Sequence, residues 1–169
     1  MKDETYFFHQ TPNEITNKLL MEVDIYLEEG DTILEPFRGE GSFYDNFPDR
    51  CIKDWCEIEM GRDYKYFTDQ YFEDNLFDWV ITNPPFRLQE GTKRINSFFS
   101  ILQYFYPRVK KGLMLLGNID CLNALTPKRM TTLGAEITKI VVVNIPKWRG
   151  RYFFIVIQKQ SKGFVKYIC

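Results

Sequence analysis

The strongest constraint on this chain is an alternation of two kinds of apolar pattern. Short apolar runs recur at Thr32-Ile33-Leu34, Ile52 to Ile58, Phe77-Asp78-Trp79-Val80-Ile81-Thr82 and Leu113 to Leu116. Between them lie segments with helical spacing. Thr11-Pro12 opens one, with Thr as N-cap, Pro at the first helical position and Ile15, Leu19, Leu20, Val23 and Leu27 on one face up to Gly30. Gly39-x-Gly41 leads into a brief helix around residues 43–47. Further helices are expected over residues 93–105, from Ile95, Phe98, Phe99, Leu102 and Phe105, and over 124–133. Strands that alternate with helices fold into an α/β sandwich with a mostly parallel sheet. The last two runs, 137–145 and 151–158, are joined only by Pro146-Lys147-Trp148-Arg149-Gly150. That turn is too short for a parallel crossover, so the sheet must end in an antiparallel hairpin strand.

With 169 residues the chain suits one domain with a substantial core. Hydrophobic residues make up 44% and charged residues 27%, and no apolar run approaches the ~20 residues of a membrane span. The four cysteines form no C-x-x-C pair and the single histidine is His9. A zinc ribbon, an H-E-x-x-H hydrolase, a Ser-His-Asp enzyme and a disulfide scaffold are therefore excluded, and no metal site is expected. The start lacks the basic-then-apolar plan of a signal peptide, so a reducing, cytoplasmic location is expected.

The net charge of −1 hides a division. Residues 1–90 carry 8 Lys and Arg against 21 Asp and Glu, and residues 91–169 carry 14 against 2. Folded together, the second half is expected to display a positive face of the kind that collects polyanions, which makes nucleic acid a candidate partner. The alternative is that the two halves neutralise each other in space.

Ligands of an open parallel sheet bind beyond the carboxyl ends of its strands, so the residues after each strand carry the functional signal. After the first strand stands Glu35-Pro36-Phe37-Arg38-Gly39-Glu40-Gly41. Its glycines allow a tight turn, but the third glycine of a dinucleotide fingerprint is missing and an acidic side chain would repel a pyrophosphate, so NAD is disfavoured. After the second strand comes Glu57, able to accept two hydrogen bonds from ribose hydroxyls, and then Asp63-Tyr64. After the third comes Asn83-Pro84-Pro85-Phe86. The prolines stiffen the turn and donate no N–H. An Asn amide oxygen and a free carbonyl then offer two acceptors beside a flat aromatic face, which suits a planar amine or amide.

Together these residues resemble the class I S-adenosylmethionine-dependent methyltransferases, specifically the amino-methyltransferases with an (Asp/Asn)-Pro-Pro-aromatic motif. The resemblance implies the Rossmann-like class I methyltransferase fold and S-adenosyl-L-methionine as cofactor. It assigns Phe8, Thr11 and Pro12 to the methionine end of that cofactor, Glu35, Pro36, Gly39 and Gly41 to its binding loop, Glu57 to the ribose and Asp63 and Tyr64 to the adenine side. Asn83, Pro84, Pro85 and Phe86 take the catalytic role. Only five residues separate Glu57 from Asp63, fewer than a crossover needs, so the helix and edge strand that usually follow the second strand are expected to be reduced. No segment is large enough for a separate target-recognition domain.

The implied reaction is methylation of adenine N6 in DNA. Asn83 and the Pro84 carbonyl would accept hydrogen bonds from the exocyclic amine, favour a pyramidal nitrogen and aim its lone pair, while Phe86 stacks on the base. A base inside a duplex must first be flipped out. Lys147, Trp148, Arg149 and Arg151, between the last two strands, are candidates for holding phosphates and stacking on a base. RNA adenine is the nearest alternative substrate, followed by a protein glutamine amide. A non-catalytic nucleic-acid-binding subunit is a different class of answer. The aromatic crowd Phe98, Phe99, Tyr104, Phe105 and Tyr106 fits either a core or a homodimer or partner surface.

Overall fold

The structure is a computed structural model and describes residues 10–66, 76–85, 87–90 and 93–159. Six strands form one sheet: β1 (Thr32–Glu35), β2 (Ile52–Trp55), β3 (Phe77–Thr82), β6 (Val109–Asn118), β7 (Glu136–Val143) and β8 (Tyr152–Gln158). Their order is β2-β1-β3-β6-β8-β7. The first four run parallel, and β8 lies antiparallel between β6 and β7. The short turn after β7 thus produces the expected antiparallel strand. Among the described residues nothing extends the sheet beyond β2.

Two apolar layers hold the sheet. On one face Leu34, Val80, Leu113, Leu115, Ile155 and Ile157 pack under α2 (Ser97–Phe105), α3 (Ile119–Asn123) and α4 (Pro127–Leu133). On the other, Ile33, Trp79, Ile81, Met114, Leu116 and Phe154 pack under α1 (Asn13–Val23) with Phe43 and Phe47. The period-two alternation along each strand divides the side chains between these layers. Phe98, Phe105 and Tyr106 are buried and belong to the first layer, which settles most of the aromatic crowd as core. No helix of the described residues is long and apolar enough to cross a membrane.

Several sequence expectations need correction. Residues 93–96 are not helical: β4 (Arg87–Glu90) and β5 (Lys93–Asn96) pair as an antiparallel hairpin, and α2 begins at Ser97. The buried set Phe98, Ile101, Leu102 and Phe105 has full helical spacing without Ile95, which pairs with Leu88 instead. The second strand stops at Trp55, because the chain turns back at Glu57 to bridge Arg62. The helix expected over 124–133 begins only at Pro127, capped by Thr126, and a separate short helix, Ile119–Asn123, precedes that range. Thr11 does not cap α1. Pro12 holds the N-cap position without a side-chain bond, and the Thr11 hydroxyl is used elsewhere.

Part of the charge division is neutralised inside the fold. Lys111 bridges Glu28 and Asp31, Lys139 reaches Glu22 at 2.9 Å and Lys110 stands 4.0 Å from Asp78. Lys147, Arg149 and Arg151 are exposed and enter no ion pair among the described residues.

Candidate active site

The carboxyl ends of β1, β2 and β3 converge on one mouth. Pairing of β1 with β2 continues past the strands, where Cys56 N–H donates to the Glu35 carbonyl at 2.8 Å and Arg38 N–H to the Cys56 carbonyl at 3.0 Å. This continued ladder sets Glu57 opposite the glycine loop. Gly39 N–H donates to Glu57 Oε2 at 2.7 Å, and Glu59 N–H to Oε1 at 3.3 Å. The turn after Glu57 closes through a left-handed Gly61, and Ile58 within it is exposed.

Gly39 and Gly41 both have positive φ, 53° and 97°. A Cβ on Gly41 would stand 2.6 Å from Asp45 Oδ2, so the loop needs glycine for conformation and for space. Arg38 braces the loop from outside, 3.4 Å from Asp45, with its guanidinium over the rings of Tyr44 and Trp55. Arg62 lies over the same indole at 4.3 Å. Glu35 is buried behind the loop and accepts from Tyr44 N–H at 2.7 Å. Burial pushes its carboxyl well above the usual range, against the opposing pull of that hydrogen bond and of Arg38.

The segment before α1 crosses this mouth. Ser42 Oγ donates to the Thr11 carbonyl at 2.7 Å and accepts from Gln10 Nε2 at 2.5 Å. Asn83, just past β3, donates from Nδ2 to Thr11 Oγ1 at 3.2 Å. One residue therefore touches both the glycine loop and the Asn-Pro-Pro turn. Pro84 is buried, and the Ser97 hydroxyl donates to the Pro85 carbonyl, tying the turn to the start of α2. Gln10, Ser42 and Ser97 were not singled out in the sequence. Ser42 stands directly after the G-x-G, which was the available signal.

Of the sequence-predicted residues, Thr11, Pro12, Glu35, Pro36, Gly39, Gly41, Glu57, Asn83, Pro84 and Pro85 stand on these converging segments. Phe8 and Phe86 lie outside the described residues. Asp63 accepts from Lys65 N–H at 3.0 Å, and the Tyr64 ring meets Phe37 at 5.1 Å and Tyr104 at 5.2 Å, edge to face. Trp148 packs edge to face on buried Tyr152 at 4.9 Å and against the second apolar layer. Lys147, Arg149 and Arg151 remain exposed on the loop from β7 to β8. Because β3 and β6 are parallel and Asn118 pairs with Tyr152, that loop lies at the same end of the sheet as Asn83. Among the described residues no group of three His, Cys, Asp or Glu side chains is placed to hold a metal ion.

Comparisons with known proteins agree with this architecture. No family model matches the chain, and no curated protein matches it in sequence. Among solved structures it is similar to a candidate RNA methyltransferase from Pyrococcus horikoshii, at 14% identity over 94% of this chain and 92% of that one, with a TM-score of 0.64. It is also similar to the modification subunit of a candidate type I restriction enzyme from Vibrio vulnificus, at 10% identity over 91% of this chain but 45% of that one, TM-score 0.62. A release-factor-specific protein-(glutamine-N5) methyltransferase from Alicyclobacillus acidocaldarius matches at 10% identity over 88% and 93% of the two chains, TM-score 0.56. The chain has the Rossmann-like fold these proteins share, with a mostly parallel sheet and an antiparallel strand before its last edge.

Proposed function

We propose that the protein transfers a methyl group from S-adenosyl-L-methionine to the exocyclic N6 amine of adenine in DNA. The observation that carries this reading is the Asn83-Pro84-Pro85 turn, which the Thr11 hydroxyl ties to the same mouth as the glycine loop and Glu57. The donor set fits the cofactor. The Glu57 carboxylate and two left-handed glycines form a cradle for a cationic ligand bearing hydroxyls, and that carboxylate would repel a pyrophosphate. Glu57 would hold the ribose, the Gly39 to Gly41 backbone the methionine portion, and Thr11-Pro12 would cover that end. When bound, the cofactor supplies an electrophilic methyl group.

The protein's own part is positioning. Asn83 gives its Nδ2 to Thr11, so its Oδ1 is the end that accepts one hydrogen of the substrate amine, and the Pro84 carbonyl accepts the other. Two acceptors favour a pyramidal nitrogen, which frees a lone pair otherwise delocalised into the ring. Phe86 would stack on the base. Exposed Lys147, Arg149 and Arg151 at the same end of the sheet favour a nucleic acid over a glutamine side chain, since a lone amide has no phosphates for them to hold. The similar solved structures include proteins named for RNA, restriction-modification and glutamine substrates, so the fold leaves this choice to the site.

The test is transfer of a labelled methyl group from S-adenosylmethionine to matched single-stranded DNA, duplex DNA, RNA and a protein extract, with Asn83→Ala as control. Asn83-dependent label on DNA adenine is the expected result. Label on RNA adenine moves the substrate, label on glutamine replaces the reading, and cofactor binding without transfer to any of them identifies a non-catalytic subunit.

A further inference from the structure

Strand β7 (Glu136–Val143) forms one border of the six-stranded sheet. Its inner side pairs with β8, and among the described residues no strand pairs with its outer side. An unpaired strand edge offers a row of backbone donors and acceptors to a second chain, so folded proteins guard such edges with charges, prolines or a bulge. Here the guard covers only the first half of the strand. A bulge breaks the register between Ile137 and Lys139, and from Lys139 to Val143 the pairing with β8 is regular. Lys139, the one charged residue of that regular stretch, is drawn onto α1, where its Nζ donates to the Glu22 carbonyl at 2.5 Å and lies 2.9 Å from Glu22 Oε2. What remains at the border is Ile140-Val141-Val142-Val143, four β-branched aliphatic residues in succession.

Alternation along the strand sends Lys139, Val141 and Val143 to the α1 face of the sheet and Ile140 and Val142 to the other. Val143 is buried, Ile140 and Val141 are half-buried, and Val142 is 68% exposed. The five regular residues have their midpoint at Val141. Two copies related by a two-fold axis perpendicular to the sheet therefore pair antiparallel with Val141 opposite Val141 of the partner subunit. Ile140 then faces the partner's Val142, and exposed Val142 faces the partner's Ile140. Lys139 faces the partner's Val143, so no like charges stand opposite each other. A register moved toward Glu136 runs into the bulge, and one moved toward Asn144 leaves Ile140 opposite an amide. The ends agree in charge as well. Antiparallel pairing sets the start of one β7, with exposed Glu136, beside the end of the other, from which the loop with exposed Lys147, Arg149 and Arg151 departs.

We propose that the outer edge of β7 is the interface of a two-fold symmetric homodimer, in which Lys139 to Val143 of each chain join the two sheets into one. Self-complementarity selects a second copy over an unrelated partner, since one short segment supplies both halves of every pair. In each copy β6 and β8 stand between β7 and β3, and the two-fold axis points the strand ends in opposite directions. Both candidate active sites therefore stay open and face opposite ways. The dimer does not depend on which group the protein methylates.

The experiment is sedimentation velocity of the wild-type chain and of Val142→Lys over a hundredfold range of concentration. Wild type is expected to show a monomer–dimer equilibrium. Val142→Lys sets a charge against the partner's Ile140 twice per dimer and is expected to raise the dissociation constant at least about tenfold. Because Val142 is exposed, thermal melts of the two proteins in their monomeric range are expected to coincide, which separates a lost interface from a lost fold. Val141→Cys tests the register. Directly opposed residues hold their Cβ atoms about 4.5–5.5 Å apart, a gap that a small strand movement closes to disulfide length, so mild oxidation is expected to give a covalent dimer linked at position 141 by peptide mass mapping. A wild-type chain that stays monomeric throughout overturns the dimer. So does an assembly that Val142→Lys leaves at wild-type strength, or one whose crosslinks map away from position 141.

Discussion

The Thr11 hydroxyl accepts a hydrogen bond from Asn83 Nδ2 at 3.2 Å, across 72 residues of chain. An amide has a donor end and an acceptor end, so occupying the donor end decides which one a substrate meets. The same threonine gives its carbonyl to Ser42, the residue after the glycine loop. The glycine loop and the Asn-Pro-Pro turn are thus referred to one fixed point.

Thr11→Val keeps the shape and removes the acceptor. One hydrogen bond of this kind is worth about 0.5–1.5 kcal/mol, so kcat is expected to fall between about two- and tenfold. S-adenosylmethionine affinity should change little, because the Ser42 contact is made by the main chain. Thr11→Ser, which retains the hydroxyl, is expected to restore turnover. Steady-state kinetics with separate calorimetric titration of the cofactor check both halves, and a purely structural role would lower the two together.

Glu57 receives the Gly39 N–H at 2.7 Å and is the residue proposed to hold the ribose. Hydrogen bonds to a charged group contribute about 1.5–3 kcal/mol, so Glu57→Ala is expected to weaken S-adenosylmethionine binding about 10- to 100-fold. Glu57→Gln should fall between, since an amide oxygen still accepts but carries no charge. Unaltered calorimetric affinity in the alanine variant would remove Glu57 from the site.

The sequence made the scaffold legible wherever one local rule acted alone. Ile33 and Leu34, or Trp79 and Val80, alternate across a sheet covered on both faces, so the strands announced themselves. The short turn at Pro146 to Gly150 permits only an antiparallel return. Residues 93–96 were misread because Ile95 falls by chance in helical phase with Phe98 and Leu102, while its true partner Leu88 lies across a turn that periodicity does not see. Likewise, Thr11 before Pro12 satisfies every local rule for an N-cap. A tertiary partner, Asn83, claims the hydroxyl instead. The residues that converge on the site could be named from the motifs. Gln10, Ser42 and Ser97, which lock them together, act through long-range contacts that leave little trace in spacing.

Gly41→Ala tests how tightly the loop is built. Gly30 has a similar positive φ of 81° but open space where a Cβ would go, so Gly30→Ala reports backbone strain alone, about 1–2 kcal/mol. Gly41→Ala adds a clash with Asp45 Oδ2 at 2.6 Å. Thermal melts are expected to show a loss of roughly 2–8 °C for Gly30→Ala and a larger one for Gly41→Ala. Only the latter should also weaken cofactor binding. Equal losses would mean that the Asp45 side chain simply swings aside.

The two carboxylates at opposite ends of β1 should respond to pH with opposite sign. Glu35 is buried at the carboxyl end, and burial raises its affinity for a proton above that of the free side chain, 4.5. The folded state then holds a proton that the unfolded chain releases, so stability falls as pH rises from about 4.5 toward the raised folded value. Glu35→Gln cannot ionise and should flatten this decline. Its carbonyl can still accept from Tyr44 N–H. At the amino end, burial alone would raise Asp31, yet hydrogen bonds from Glu28 N–H, Lys111 and Trp79 Nε1 hold it below the free value of 3.8. Its contribution is present above 3.8 and is lost as pH falls through the lower folded value. Asp31→Ala leaves the buried Trp79 N–H without its acceptor and Lys111 without one of its two carboxylates, at a cost of about 2–4 kcal/mol. Urea unfolding between pH 3 and pH 8 is expected to give Glu35→Gln a growing advantage over wild type toward the alkaline end. Asp31→Ala should show a deficit that shrinks only at the acid limit. Parallel curves for Glu35→Gln and wild type would show that Glu35 holds the same protonation state in the folded and unfolded chains.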